Sequence, residues 1–293
     1  MNIGIVGIGN MGFAMASRLL EQGWRVAVRD IDASRETAAR SLGATLCATP
    51  AEVAARSDCV IVCVVDAPQV EAVLFDPRSG VVAQGAQPCI VLCPTIAPND
   101  AEVFAARLAE RGLACIEAPM SGGPVRARAG QMSLMVACDD DLFERQAALL
   151  NTLADPVFRI GRRVGDGART KLVNNLLAAV NLAGAAEALA LAERVGLDAA
   201  RTLDVIERSS GQSWIGSERM RRALAGDLAP RAHTSLLNKD AGLALGMAKA
   251  AGFDAPVGQS AADLFVRACA GGLADQDDAS LLALLRTAPG VRA

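Results

Sequence analysis

The sequence contains a single histidine, His233. One imidazole excludes a metal site built from several histidines, and it leaves catalysis to other side chains. Eight cysteines are present, but no two of them form a Cys-x-x-Cys pair. We interpret them as buried thiols of a reducing compartment rather than as metal ligands or disulfides. The sequence therefore predicts no metal centre.

A basic excess and a long apolar run are also missing. Lys and Arg total 29 against 32 Asp and Glu, which gives a formal net charge of -3 and favours neither nucleic acid nor an anionic membrane as a partner. Apolar runs such as residues 59–65 are far shorter than the roughly 20 residues that cross a bilayer as a helix. The first residues form a strand pattern, so we expect no signal peptide. These absences predict a cytoplasmic protein.

The first strand pattern runs directly into Gly7-x-Gly9-x-x-Gly12, and an apolar helix pattern follows. This layout is typical of a dinucleotide-binding turn. Gly7 permits the tight turn, Gly9 lets the backbone approach a pyrophosphate, and Gly12 lets the helix pack on the strand. Asp30 ends the next strand pattern, close to the roughly 20-residue distance at which a carboxylate binds the ribose hydroxyls. The alternative is a helix-packing turn with an unrelated aspartate.

Two kinds of periodicity divide the chain. Short apolar runs alternate with helical patterns in the first half, which predicts a parallel sheet covered on both faces. After residue 165 only helical patterns remain. We predict an α/β fold with an N-terminal Rossmann NAD-binding domain (residues 1–162), joined by a long interdomain helix to an all-α C-terminal substrate and oligomerisation domain (163–293). The strand patterns lie at 3–6, 26–28, 60–64, 89–92, 114–116, 134–137 and 157–160, and the later helical patterns at about 166–194, 199–207, 213–224, 235–251, 255–270 and 277–286.

Two further segments carry residues suited to chemistry. Ser121-Gly122-Gly123 follows the strand pattern at 114–116, and successive glycine N–H groups beside a hydroxyl suit a carboxylate, although an ordinary loop explains the segment equally well. Lys171 and Asn175 lie four residues apart in the long helical pattern and share a face. A lysine in a cleft beside a nicotinamide would have a lowered pKa suited to a general acid or base. Without other motifs, a solvent-facing lysine is the simpler interpretation.

Together these segments resemble the β-hydroxyacid dehydrogenases, the family that contains 3-hydroxyisobutyrate dehydrogenase. The resemblance runs nearly end to end and rests on the segments 7–12, 119–123 and 167–175 and on Lys239-Asp240. It implies that Lys171 is the catalytic acid or base and that Asn175 hydrogen-bonds the substrate. It further implies that Ser121, Gly122 and Gly123 bind the substrate carboxylate. The cofactor-binding residues implied by the resemblance are Gly7, Gly9, Asn10, Met11, Gly12, Asp30, Val64, Val65, Thr95 and Lys239.

The function implied by the resemblance is hydride transfer between a nicotinamide cofactor and a small hydroxy acid similar to 3-hydroxyisobutyrate. Many members have Leu-Pro where this chain has Val64-Val65, and this difference resembles the threonate dehydrogenase branch. A threonate-like sugar-acid dehydrogenase or a semialdehyde reductase is therefore an alternative. Imine reductases commonly replace the lysine, and 6-phosphogluconate dehydrogenase is a much longer chain. The alternative of another class is a non-catalytic dinucleotide-binding protein.

Cofactor choice and assembly follow from two further features. The Asp30 carboxylate would repel a 2′-phosphate, so the sequence predicts NAD, while Arg29 and Arg35 leave NADP open. The helical half is rich in alanine and has long apolar faces. Such faces suit a homodimer or homotetramer, although they also build the cores of monomers.

Overall fold

The computed structural model describes residues 1–287 of this protein. The chain forms two compact units, one comprising Met1–Lys171 and one beginning at Leu172. The first unit is built around one sheet, with the strand order β3-β2-β1-β4-β5-β6-β8-β7 and β9 beside β8. Its strands are β1 (Asn2–Val6), β2 (Arg25–Arg29), β3 (Thr45–Leu46), β4 (Cys59–Val62), β5 (Cys89–Leu92), β6 (Cys115–Glu117), β7 (Met120–Ser121), β8 (Met132–Ala137) and β9 (Ala154–Gly161).

Helices connect the strands of the first unit. The start of one of them shows how the sequence sets its boundary, because Thr49 Oγ1 accepts the N–H of Glu52 at 3.1 Å and Glu52 Oε2 accepts that of Ala48 at 2.8 Å. The proline that follows Thr49 fits the first helical position. The helices are α1 (Asn10–Glu21), α2 (Ala33–Ser41), α3 (Pro50–Ala55), α4 (Ala67–Phe75), α5 (Pro98–Ala109), α6 (Gly123–Ala129) and α7 (Asp140–Leu153).

The pairing of the strands separates the sheet into two parts. Strands β1 to β6 pair in parallel, whereas β8 is antiparallel to both β6 and β7. The sheet is parallel as predicted over β1 to β6, and the antiparallel pairing of β8 was not predicted. Ten residues, 122–131, separate β7 from β8, fewer than the dozen or more that a parallel crossover needs. The sequence patterns also missed β3 and β7, because two-residue strands have no readable alternation.

The parallel strands are buried on both faces. Ile5, Ile61 and Val91 belong to the core on one side of the sheet, whereas Val60 and Leu92 belong to the core on the other. Alternate residues of one strand therefore pack into different layers, as expected for a parallel sheet covered by helices. The predicted α/β class and the covering on both faces are confirmed.

The second unit is helical throughout its described residues, as predicted. Helix α8 begins before the division between the units and continues into the second one, where Leu182 and Leu189 are buried together with Met220 and Phe265. The predicted helix at about 255–270 corresponds to α12, which continues into a π-helical turn over Cys269–Leu273, and Gly272 within that turn has φ +86°. The helices are α8 (Asp166–Arg194), α9 (Ala199–Glu207), α10 (Trp214–Leu224), α11 (Thr234–Ala250), α12 (Pro256–Ala268) and α13 (Leu281–Thr287).

A buried ionic cluster fixes the beginning of α11. Arg219 Nε donates to Asp278 Oδ1 at 2.5 Å, and Arg222 Nη1 donates to Asp277 Oδ1 at 3.1 Å. Burial raises the pKa of Asp278 to about 7. The N–H of Thr234, the first residue of α11, donates to the carbonyl of Gln276 at 2.8 Å. The segment that carries both buried carboxylates is thus hydrogen-bonded, through the backbone of Gln276, to the first residue of the helix that carries Lys239 and Asp240.

Candidate active site

The glycine turn between β1 and α1 has two closed positions and one open one. A Cβ atom at Gly12 would lie 2.0 Å from the carbonyl oxygen of Gly7. Gly7 itself has φ +90°, and a Cβ there would lie 2.5 Å from the carbonyl oxygen of Cys63. At Gly9 a Cβ would meet nothing within 4 Å. The turn is therefore packed against the strands on one side and leaves space above Gly9, at the start of α1, where a phosphate group fits.

Asp30 lies beside this turn, as predicted from its position at the end of β2. Its Oδ2 accepts the N–H of Ile8 at 2.6 Å, and its Oδ1 accepts the N–H of Asp32 at 2.9 Å. The two neighbouring arginines have different partners. Arg29 forms an ion pair of 2.7 Å with Glu36, whereas Arg35 Nη2 donates to Asn10 Oδ1 at 3.1 Å. The turn and the end of β2 are thus joined by direct hydrogen bonds.

The residues after β4 and β5 lie along the same edge of the sheet, because these strands run parallel to β1. A Cβ at Gly7 would lie 2.9 Å from Val64 Cγ1, which places Val64 against the glycine turn. The N–H of Val65 donates to Gln69 Oε1 at 3.0 Å, and Thr95 is half-buried. This edge fits a dinucleotide, since it combines open backbone, a carboxylate at a ribose position and apolar side chains.

Ser121, Gly122 and Gly123 lie at the start of α6. Ser121 pairs with Ser133 of β8, and its side chain is half-buried. Gly122 has φ +124° and Gly123 has φ +72°. Successive N–H groups in a turn conformation can form a concavity that suits an anion, so this segment is a candidate for a carboxylate. A Cβ at Gly123 would meet nothing within 4 Å, so the backbone is accessible to a small acid.

Glu117, the last residue of β6, was assigned no role from the sequence. It is 2 % exposed, and its Oε2 accepts the N–H groups of Gly165 at 2.7 Å and Gly167 at 2.9 Å. Its Oε1 accepts the N–H of Ala168 at 2.9 Å. Burial raises the pKa of Glu117, and the three N–H groups partly offset this effect. Lys171, one helical turn beyond these donors, is 8 % exposed.

In the second unit, four polar side chains of α8 and α11 are linked by hydrogen bonds and an ion pair. Asn175 Nδ2 donates to Asp240 Oδ2 at 2.6 Å, and Lys239 Nζ lies 3.0 Å from Asp240 Oδ1. Asn174 Nδ2 donates to Asn175 Oδ1 at 3.0 Å. Asn175 and Asp240 are buried, at 8 % and 7 % exposure. Asp240 therefore joins the residue expected to bind substrate to the lysine expected to bind cofactor.

The individual roles of these residues stay predictions. What the structure adds is proximity within each unit: glycine turn, Asp30 and Val64 in the first, Asn175 and Lys239 in the second. Asp240 is part of the Lys239-Asp240 pair that carries the resemblance, but sequence reasoning assigns no role to it or to Glu117. The hydrogen bonds of Glu117 join residues 48 to 51 positions apart, and that between Asn175 and Asp240 joins residues 65 positions apart. Within residues 1–287, no group of three or more His, Cys, Asp and Glu side chains is placed to hold a metal ion.

Family models match nearly the whole chain. Residues 2–161 match the NAD binding domain of 6-phosphogluconate dehydrogenase. Residues 165–285 match the NAD-binding domain of NADP-dependent 3-hydroxyisobutyrate dehydrogenase. The two matches cover the α/β part and the helical part in turn.

Individual proteins are similar over the same length. The L-threonate dehydrogenase of Cupriavidus necator is 36 % identical over 290 residues, which are 99 % of this chain and 97 % of that protein. The crystal structure of 3-hydroxyisobutyrate dehydrogenase from Salmonella typhimurium is 33 % identical, with a TM-score of 0.89 and coverage of 97 % of this chain and 99 % of that chain. Psf3 in complex with NADP+ and 2-OPP is 26 % identical, with a TM-score of 0.90 and coverage of 97 % and 99 %.

These matches confirm the family resemblance, the enzyme class and the nicotinamide cofactor predicted from the sequence. The chain belongs to the β-hydroxyacid dehydrogenase family and is an oxidoreductase that uses a nicotinamide cofactor.

Proposed function

We propose that the chain transfers a hydride between NAD and a small hydroxy acid, with Lys171 as the general acid or base. The observation that carries this proposal is the burial of Lys171, 8 % exposed, one turn from the equally buried Asn175 on α8. Lysine is rarely buried to this degree without a specific interaction or task. Gly165, Gly167 and Ala168, which precede Lys171, are held by Glu117.

Each residue has a defined task in this reaction. Oxidation of a hydroxy acid removes a proton from the hydroxyl oxygen and a hydride from the carbon that bears it. A bound nicotinamide ring supplies the hydride acceptor in oxidation and the hydride donor in reduction. Lys171 Nζ takes the hydroxyl proton in the first direction and returns it in the other. Ser121, Gly122 and Gly123 hold the carboxylate, and Asn175 donates its second Nδ2 hydrogen to the substrate.

The residues proposed to hold the cofactor lie in both units. Gly7, Gly9, Asn10, Met11 and Gly12 present the start of α1 to the pyrophosphate. Asp30 receives the ribose hydroxyls, and Val64, Val65 and Thr95 form the apolar edge that the rest of the cofactor contacts. Lys239, which lies 3.0 Å from Asp240, completes this set.

NAD rather than NADP is proposed on the charges at the end of β2. The Asp30 carboxylate would face a 2′-phosphate directly, and the positive charge of Arg29 is already paired with Glu36 at 2.7 Å. Arg35 Nη2 donates to Asn10 Oδ1 at 3.1 Å, so its guanidinium lies beside the first residue of α1. We expect the ratio of specificity constants to favour NAD, and a marked preference for NADP would contradict this assignment.

Two substrate classes remain, and one observation favours the second. A short acid similar to 3-hydroxyisobutyrate needs only the carboxylate site and Lys171. The similarity to L-threonate dehydrogenase, 36 % identity over 99 % of this chain, and the Val64-Val65 segment favour a sugar acid that carries further hydroxyls. A semialdehyde reductase would use the same residues in the reducing direction.

The test is a panel of short hydroxy acids, including 3-hydroxyisobutyrate and L-threonate, assayed with NAD and with NADP. The corresponding semialdehydes are assayed with the reduced cofactors. Turnover of at least one acid with NAD is the expected result. Tight cofactor binding without turnover of any acid would instead identify a non-catalytic dinucleotide-binding protein.

We further propose that residues 1–162 are the cofactor-binding domain. Residues 163–293 are the substrate and oligomerisation domain, which forms a homodimer or homotetramer. Support for assembly comes from exposed apolar side chains on α8 and just after it: Val173, Leu177 and Leu191 on the helix, and Val195 one residue beyond its end, are 58–63 % exposed. Exposed apolar side chains of this kind are typical of interfaces. Light scattering coupled to size-exclusion chromatography measures the oligomeric state directly.

A cytoplasmic location without membrane or nucleic-acid partners is also proposed. Helix α8, with 29 residues, is long and apolar enough to cross a bilayer by length and composition alone. Its row of Ala179, Leu182, Ala186 and Leu189 is fully buried in the core of the second unit, which is typical of the central helix of a soluble protein. The formal charge of -3 gives no attraction to a polyanion.

A further inference from the structure

Glu117 is a buried carboxylate outside the residues assigned to substrate and cofactor. We propose that it is a positioning residue for the hydride-transfer reaction: by holding the first turn of α8, it sets the position of Lys171 Nζ relative to the carboxylate site. This inference rests on the proposed role of Lys171. The hydrogen bonds between Glu117 and the first turn of α8, which we call the anchor, do not depend on that role.

The contact between Glu117 and α8 uses both oxygens of the carboxylate. Both carboxylate oxygens of Glu117 accept backbone hydrogen bonds, and the donors lie at the start of α8, where N–H groups have no partner within the helix. Lys171 follows Ala168 by three residues and Gly167 by four, so it projects from the same face one turn later. Because a helix moves as a rigid element, a displacement of its first turn displaces Lys171 by a similar amount.

Gly167 is needed for this contact. A Cβ atom there would lie 2.8 Å from Glu117 Oε2 and 2.8 Å from the carbonyl oxygen of Met135. Both distances are below those that real Cβ atoms adopt, and one of the two obstacles is backbone of β8. Any larger residue would force the first turn of α8 away from the sheet. The close approach therefore depends on two residues, a carboxylate on β6 and a glycine on α8.

An ordinary helix cap does not account for the arrangement. Capping side chains usually come from the residue just before the helix, and α8 already has Asp166 in its first turn. Glu117 comes from 48 to 51 residues away, and it lies only four residues before Ser121. One short segment thus carries both the carboxylate site and the anchor of the helix that bears Lys171. The anchor fixes the separation between the two groups that must contact a single small substrate.

The experiment compares four variants with the wild-type chain. Glu117→Gln keeps the shape but directs an amide group at backbone donors, and Gly167→Ala displaces the carboxylate without removing it. Glu117→Asp keeps the charge with a shorter reach. Gly246→Ala is the matched control, because a Cβ there meets nothing within 4 Å on an exposed face of α11. All assays run well below the melting temperature of each variant, with cofactor binding used to count folded sites.

Two readouts separate positioning from stability. Hydrogen exchange of the amides at residues 165–171 reports the anchor, and kcat and KM for the best acid of the panel report the chemistry. We expect faster exchange and a kcat lower by about 10- to 100-fold in Glu117→Gln and Gly167→Ala, with cofactor Kd unchanged. Glu117→Asp should recover part of kcat, and Gly246→Ala should match the wild type in both readouts.

Three results would overturn the proposal or its basis. Faster exchange with wild-type kcat would make Glu117 a stabilising residue without influence on Lys171. Unchanged exchange in Glu117→Gln would show that the anchor does not hold the helix. A wild-type chain that turns over no acid with either cofactor would refute the proposed function and, with it, the catalytic part of this inference, while exchange still decides whether the anchor exists.

Discussion

The two units position their candidate residues in different ways. In the first unit the backbone dominates: the turn at Gly7, Gly9 and Gly12 is shaped by close approaches, and the strand ends place Asp30 beside it. In the second unit the side chains dominate, because Asn175 is oriented by Asp240, which lies 65 residues away. The first unit should therefore be sensitive to added atoms, and the second to changes of charge and hydrogen bonding.

The largest expected effect distinguishes two glycines of the same turn. Gly12→Ala places a Cβ 2.0 Å from the carbonyl oxygen of Gly7, so we expect a loss of about 3 kcal/mol in the free energy of unfolding and loss of cofactor binding. Gly9→Ala meets no protein atom within 4 Å, but it occupies space needed by the pyrophosphate. We expect an unchanged melting temperature and a cofactor Kd raised about tenfold.

Denaturant unfolding and titration with the reduced cofactor measure the two effects separately. The Gly9→Ala chain serves as the control for Gly12→Ala, since both add the same methyl group. If both variants were equally destabilised, or if Gly9→Ala bound cofactor as tightly as the wild type, the backbone account of the first unit would be wrong.

An intermediate effect is expected from Asp240. Asp240→Ala leaves the buried Nδ2 of Asn175 without its acceptor, which costs about 1–3 kcal/mol of stability. It also releases the orientation of Asn175, so kcat/KM should fall about 10- to 100-fold. Asp240→Asn retains an oxygen for Asn175 but removes the charge beside Lys239, and it should keep more of kcat while raising the cofactor KM.

Steady-state measurement of kcat and of the cofactor KM compares Asp240→Ala with Asp240→Asn. The control is Asp263→Ala, which removes an exposed carboxylate of α12 whose Oδ1 accepts a hydrogen bond from Gln259 Nε2 at 2.7 Å. Equal kinetics for Asp240→Ala and Asp263→Ala would show that the carboxylate between α8 and α11 has no role in the reaction.

The smallest effect concerns an ion pair that links α13 to α8. The Arg286 guanidinium donates to Glu193 and holds the pKa of Glu193 below its usual 4.5. A lowered carboxyl pKa stabilises the fold above the unfolded value, and this contribution is lost as the pH falls through the lower folded value. The Arg286 and Glu193 side chains are 41 % and 32 % exposed, and solvent screening limits the effect to about a few tenths of a kcal/mol.

Arg286→Gln tests this contribution by urea unfolding at several pH values. The wild type should exceed the variant in stability at neutral pH, and the difference should shrink below pH 4.5. High salt should reduce it as well. A difference that grows on acidification would contradict the assignment.

Much of the fold could be predicted from local patterns. The strand pattern at residues 89–92 coincides with β5, and the helical pattern at 166–194 coincides with α8, because periodic burial leaves a direct trace in the sequence. The antiparallel edge at β8 could not be predicted in this way. Strand direction there depends on the length of a connection that includes the short helix α6, and no periodicity encodes it.

The candidate site shows the same difference between residues set by local sequence and residues set by distant contacts. Gly7, Gly12 and Asp30 were identified from spacing, because backbone geometry restricts which residues can stand there. The roles of Glu117 and Asp240 could not be predicted, even though Asp240 lies in the Lys239-Asp240 pair, because the hydrogen-bond partners of both carboxylates are distant in sequence. Local sequence shows where the backbone needs a particular residue. It does not show which distant residue orients a side chain.

The central claim is that Lys171 carries the proton of the hydride-transfer reaction. Lys171→Met keeps the length and the burial of the side chain while removing the amine, and stopped-flow measurement of cofactor absorbance follows the transfer itself. We predict that the rate of transfer falls about 10²- to 10⁴-fold while the cofactor Kd stays unchanged. A Lys171→Met enzyme that transfers hydride at the wild-type rate would contradict the account.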